Sequence, residues 1–193
     1  SNRQLSLKEA ELLSMTDIPG ISIAYIEDAL VSESWYVGEA NTDTQAPITH
    51  ETIHQAASLS KPIFAYLALN AAVAGAIDLD LAIGESLDLS EANLRAITPR
   101  QILSHTSGLP NWLPDLPERL AQQDVYLAPA SADLTAPGQF FYSGEGYFLL
   151  QRVLEHLTGK SLSDYAHDAL FSVLELEKTA FVWPSQHRPS IAF

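Results

Sequence analysis

Ser58 and Lys61 stand three residues apart, so on a helix both side chains project from one face. That pairing suits nucleophilic catalysis, in which a serine hydroxyl attacks an acyl carbon and a neighbouring amine takes its proton. Lys61 is also isolated by charge: between residues 9 and 94 there are 14 acidic residues and no other Lys or Arg. It sits between Ser58-Leu59-Ser60 and an apolar run, where burial would lower its pKa and let it accept a proton. Ser58 would stand at a helix N-terminus, where free N–H groups and the helix dipole can stabilise a developing oxyanion. The spacing alone is a weak signal. With 19 serines and four lysines in 193 residues, chance supplies a Ser three residues before a Lys in roughly one case in three.

A competing pattern is His50-Glu51-Thr52-Ile53-His54, the H-E-x-x-H arrangement that binds Zn²⁺ when both histidines lie on one helical face. Pro47, Ile48, Thr49, Thr52 and Ile53 instead favour an extended segment, on which the two histidines would lie roughly 13 Å apart. Glu85 is the nearest candidate for a third ligand, without independent support. No metal is therefore expected. His156, His167 and His187 have no ligand spacing and read as solvated positions.

The elements that would position these residues follow from the pattern. Residues 3–15 are rich in helix formers, and Pro19-Gly20 stops them. Ile21, Ile23 and Tyr25, then Val31, Trp35 and Val37, predict two strands joined by a turn near residues 27–30. Residues 41–49 read as a polar loop. A long apolar helix is expected over 58–76, with Pro62 in its first turn, where a missing N–H costs little. Thr98-Pro99 opens a short helix that Gly108 closes. Pro110, Pro114, Pro117, Pro129 and Pro137 make 109–138 a long irregular excursion. Helices follow over 146–157, ending at Gly159, and from a Ser161–Asp164 capping box through Phe171. Helix, hairpin, then mostly helices is an α+β order.

Composition removes other classes. There is no cysteine, so disulfides, thiolate metal sites and cysteine nucleophiles are excluded. A net charge of −14 disfavours nucleic acid and anionic membrane. No apolar run reaches the roughly 20 residues of a membrane span, and no signal peptide is visible, so the compartment stays open between periplasm, secretion and cytoplasm. Without a G-x-S-x-G elbow, a G-x-G-x-x-G fingerprint or a P-loop, neither an α/β-hydrolase nor a nucleotide cofactor is expected.

Longer strings carry a resemblance. Gln55-Ala-Ala-Ser-Leu-Ser-Lys-Pro62 resembles the first motif of the penicillin-recognising serine hydrolases, which include class C β-lactamases, D-Ala-D-Ala carboxypeptidases and related esterases. Ile102-Leu-Ser-His-Thr-Ser-Gly-Leu109 is similar to their L-x-H-T-S-G-L turn. Pro137-Gly-Gln-Phe-Phe-Tyr-Ser-Gly144, Gly146-Tyr-Phe-Leu-Leu150 and Leu157-Thr-Gly-Lys-Ser161 resemble the block around their second motif. The series continues to Leu174-Glu-Leu-Glu-Lys-Thr179 in the same order. The resemblance implies a β-lactamase/transpeptidase-like fold, Ser58 as acylated nucleophile, Lys61 as proton acceptor and Tyr142 as assisting base. Taken alone, Tyr142 ends a Phe140-Phe141-Tyr142 run and reads as a core aromatic. His105 is implied to be structural.

Two departures qualify this. Gly144 stands at the substrate-binding position where the family has Asn, which leans toward small-molecule esters over amides, β-lactams or peptides. No Lys-Thr-Gly or His-x-Gly third motif follows Tyr142. The expectation is one incomplete serine-hydrolase domain over 1–193, with a helix and strands in 1–57 and a helical region in 58–180. Its sheet would be completed by a further C-terminal fragment. The alternatives are the zinc hydrolase and an inactive fragment or binding module.

Overall fold

The expected turn of the hairpin is a two-residue one. Asp28 and Ala29 both take positive φ, 50° and 62°, the backbone twist that lets tightly linked strands pair without splaying. In this computed structural model, residues 11, 15–89, 92–114, 134–135 and 137–182 are described. The helix expected over 3–15 and the middle of the 109–138 excursion lie outside them. The chain divides into two compact units, Ser1–Ala57 with Trp183–Phe193, and Ser58–Val182.

In the first unit, β1 (Gly20–Glu27) pairs antiparallel with β2 (Leu30–Asn41), with Ile23 opposite Trp35 and Gly20 opposite Gly38. Gly38 has φ +82°, and a Cβ there would collide with the Pro19 carbonyl oxygen. Only glycine lets the strands cross so closely. The segment 41–49 is not wholly a loop. Ala46–Pro47 form a short β3 against β2, giving the order β1-β2-β3, and Ile48 donates its N–H to the Gly38 carbonyl at 3.0 Å.

The second unit is helical. A 3₁₀ turn (Ala57–Leu59) leads into α1 (Ser60–Val73), so the helix begins two residues later and ends three earlier than its pattern implied. Pro62 lies in its first turn, and Gly75 turns the chain at φ +76°. Phe64, Leu67, Ala68 and Ala71 bury one stripe of α1, at the spacing an amphipathic helix requires. A 3₁₀ turn (Ile83–Glu85) and a short α2 (Ala92–Arg95) add Ile83 and Leu94 to that core.

Thr98 caps α3 (Pro99–Leu103) through a reciprocal box with Gln101. This helix stops well before Gly108, because His105 already turns the chain at φ +57°. Helix α4 (Gly144–Thr158) is capped by the Ser143 hydroxyl, which accepts from the Gly146 N–H at 2.9 Å, and is closed by Gly159 at φ +66°. Its Leu149, Leu150, Val153 and Leu154 meet α1 and α3 in the core. Fully burying one such leucine is worth about 1.5–3 kcal/mol. Ser161 caps α5 (Leu162–Ala166), after which 167–171 widens into a π turn instead of continuing as α-helix. Among the described residues no helix is long and apolar enough to cross a membrane.

Candidate active site

The face of α1 that anchors the helix also presents its chemistry. Phe64 points into the core, and one turn earlier Lys61 reaches back to the 3₁₀ turn that carries Ser58. The Lys61 Nζ donates to the Ser58 Oγ at 3.2 Å. Ser58 is exposed and Lys61 only half-buried, which corrects the expectation that Lys61 is buried. Its ammonium instead stands in an aromatic enclosure, 5.0 Å from the Tyr142 ring centroid, 5.6 Å from Tyr147 and 5.7 Å from Trp112.

Tyr142 reaches this point from 84 residues further along the chain. Residues 105–108 run beside 135 and 137–141. Phe141 donates its N–H to the His105 carbonyl (2.7 Å), Gly138 to Thr106 (2.8 Å) and Thr135 to Gly108 (2.8 Å). Ser143 donates its N–H to the His105 Nδ1 at 3.1 Å. The residues on either side of Tyr142 are therefore both held by His105, whose ring lies 4.5 Å from that of Tyr142. Tyr142 is 38% exposed, so it is not the core aromatic its run of neighbours suggests.

The two phenols beside Lys61 are driven apart. Hydrogen bonds with Ser58 first, and Lys61 second, hold Tyr142 below the ordinary 10.0, with burial opposing. Burial pushes Tyr147 up, and the neighbouring Tyr142 adds to that rise. Tyr147 stays a protonated donor, giving its hydroxyl to the Leu103 carbonyl at 3.3 Å, and packs on Phe64. Groups of one type whose environments separate their pKa values mark an assignment of roles. Tyr142 is the phenol suited to accept a proton.

Gly144 is buried under Trp112. A Cβ at this position would fall within the indole, chiefly against Cζ3 and Cη2. Trp112 in turn packs on Phe148, with ring centroids 5.9 Å apart, yet remains 46% exposed. Asn111 fixes the adjoining backbone: its carbonyl accepts from the Gly144 and Glu145 N–H groups, and its Oδ1 from Gly144 again. The Glu145 carboxylate, buried, accepts from the Leu113 N–H at 3.0 Å. Trp112 carried no sequence signal, and Tyr147 only its place in the Gly146-Tyr-Phe-Leu-Leu150 string, with no role read for it. Their importance comes from contacts with residues tens of positions away.

The zinc alternative fails on geometry. Residues 48–56 are not helical. Thr52 donates its N–H to the Thr49 carbonyl in a tight turn, and His50 pairs with its neighbour Glu51 at 3.0 Å. Without the helix, the i and i+4 imidazoles have no shared face. Among the described residues no group of three or more His, Asp or Glu side chains could hold a metal ion. His156 and His167 are exposed, and His187 lies outside the described residues.

A family model described as Beta-lactamase matches residues 6–192, and the chain belongs to this family. It is 28% identical over 170 residues to penicillin-binding protein 4 of Amycolatopsis lactamdurans, covering 84% of this chain and 44% of that protein. It is 28% identical over 104 residues to a β-lactamase of Providencia stuartii, covering 53% and 27%. The structure is similar to a class C β-lactamase from Rhodobacter sphaeroides, with TM-score 0.79 and 26% identity over 96% of this chain and 53% of that one. The α+β arrangement is thus that of the N-terminal portion of the β-lactamase/transpeptidase fold. The chain spans under half the length of these curated relatives.

Proposed function

We propose that this chain carries the nucleophile and base of a serine hydrolase that works through an acyl-enzyme on Ser58. The observation that carries the reading is the 3.2 Å hydrogen bond between the Lys61 Nζ and the Ser58 Oγ, beside a phenol whose pKa is lowered by the same two groups. Ser58 Oγ attacks the substrate carbonyl as its proton passes to the Lys61–Tyr142 pair. The tetrahedral centre collapses with loss of the alcohol, which takes that proton. Water then cleaves the new ester: the pair takes its proton and returns it to the Ser58 Oγ as the acid leaves.

Small esters with apolar acyl groups are the preferred substrates. Trp112 fills the space a side chain at Gly144 would need, so the site meets the acyl group with an indole and not with a polar amide. The runner-up is hydrolysis of β-lactams or D-Ala-D-Ala peptides, favoured by the names of the relatives. A fluorophosphonate should add one adduct per chain to the complete protein, located by peptide mass at Ser58 and absent in Ser58→Ala. A folded complete protein that takes up neither this probe nor a penicillin would sink the reading and leave a binding module. Labelling by penicillin with no turnover of nitrophenyl esters would favour the runner-up.

The indole also makes a stability prediction. Gly144→Asn should cost about 1–3 kcal/mol by overpacking, and Trp112→Ala in the same chain should recover most of it. Urea midpoints of the two single variants and the double variant measure this coupling.

A further inference from the structure

His105 has an unusual set of partners for a residue at the end of a short helix. Its backbone carbonyl accepts from the Phe141 N–H at 2.7 Å, and its Nδ1 accepts from the Ser143 N–H at 3.1 Å. These two bonds bracket Tyr142. Because a backbone N–H can only donate, Nδ1 must be unprotonated, and the ring hydrogen of the neutral imidazole must sit on Nε2. The ring then lies between aromatic faces, 4.5 Å from Tyr142, 5.1 Å from Tyr147 and 5.8 Å from Phe140.

Resting on the hydrolase reading above, we propose that His105 is a positioning residue with a pH-dependent hold on Tyr142. The neutral ring fixes the Phe141–Ser143 backbone so that the phenol meets Ser58 and Lys61, and protonation of Nδ1 releases it. A protonated imidazole turns two N–H groups toward donors. The Ser143 bond is then replaced by N–H against N–H, and the segment that carries Tyr142 loses one of the two bonds by which His105 holds it, although the Ser143 hydroxyl still donates to the Pro110 carbonyl at 2.8 Å. The titratable or charged groups facing the ring are Lys61 from α1, Tyr147 from α4 and Tyr142 itself. Burial, then the Lys61 charge, hold His105 below the ordinary 6.5, so the hold is intact at neutral pH and is lost only as pH falls through that lowered value, on the acid side of 6.5.

The test uses the complete protein and His105→Asn. Asparagine accepts the left-handed backbone at φ +57° better than other residues with a side-chain acceptor. Its Oδ1 occupies nearly the place of Nδ1, and it does not titrate. In the native protein the rate of Ser58 labelling should drop by an extra ten- to hundredfold across the His105 transition, beyond the decline due to the Lys61–Tyr142 pair. His105→Asn, which keeps the acceptor but loses the ring contacts, should label more slowly than the native protein at neutral pH, faster than His105→Ala, and lack that extra drop. His105→Ala should be slow throughout. In parallel, the Ser143 amide resonance should titrate together with the His105 ring. An extra drop that persists in His105→Asn, or a Ser143 amide indifferent to the ring's protonation, overturns the proposal. No labelling of Ser58 at any pH, with the Ser143 amide still following His105, sinks the hydrolase reading instead and leaves the hold on Tyr142 standing.

Discussion

Lys61→Met is expected to slow acylation of Ser58 by about a thousandfold while the protein remains folded. Methionine keeps most of the length and apolar contact of the lysine stem among Tyr142, Tyr147 and Trp112, but it removes the group 3.2 Å from the nucleophile. A positioned proton acceptor contributes roughly 10²–10⁴-fold, and here the same amine also lowers the Tyr142 phenol. The loss should therefore stand well above the lower end of that range. Lys61→Arg separates the two contributions: it restores a positive charge in the aromatic enclosure but cannot give up its proton. Burst kinetics with a nitrophenyl ester, alongside circular dichroism to check folding, measure both. An arginine variant acylating within a few-fold of the native rate would show that only the charge matters.

Tyr142→Phe is expected to cost about a hundredfold and to change the shape of the pH profile. The sign follows from the direction of the shift. Ser58 and Lys61 hold the phenol below 10.0, so its basic form becomes available at a lower pH than for a free tyrosine, and acylation should rise with pH through that lowered value. Removing the hydroxyl should remove this rise and leave Lys61 as the only acceptor. Because the two groups interact, the native limb belongs to the pair and not to either alone. The ring of phenylalanine preserves the stacking on His105, so a loss much larger than a thousandfold would indicate a collapse of the 140–143 segment. No change in the profile would exclude Tyr142 as a base.

The legible part of this site was its local part. Ser58 and Lys61 are read from a three-residue spacing because the helix period itself brings them together. Thr98 and Ser161 announce helix starts because a cap is a contact between near neighbours. Tyr142 was found through the resemblance of whole motifs. Its arrival beside Lys61 depends on hydrogen bonds of 105–108 with 135 and 137–143, which no local pattern encodes. Trp112 escaped notice for the same reason, since its partners Gly144 and Phe148 are more than thirty residues away. Composition does not carry the depth of Lys61, because an apolar helix still has an exposed side at its first turn. The α3 boundary was misplaced because Gly108 is the obvious stopper, whereas a non-glycine residue, His105, makes the earlier turn.

The hairpin has a consequence of a colloidal kind. Ile23, Tyr25 and Ile26 on β1, with Leu30 and Val31 on β2, are exposed, and β1 is an edge strand of the described sheet. The run Ile21-Ser-Ile-Ala-Tyr-Ile26 is uncharged, lacks proline and favours extended structure, a composition from which stacked cross-β assemblies form. What opposes such assembly is repulsion between molecules that each carry a net charge of −14. Salt that shortens the range of their repulsion removes that opposition, and so does acidification that protonates the carboxylates, which also loosens carboxylate contacts such as that of Asp80 with Arg100. The acidic surface, which takes no part in the chemistry, opposes self-pairing wherever that strand stands open.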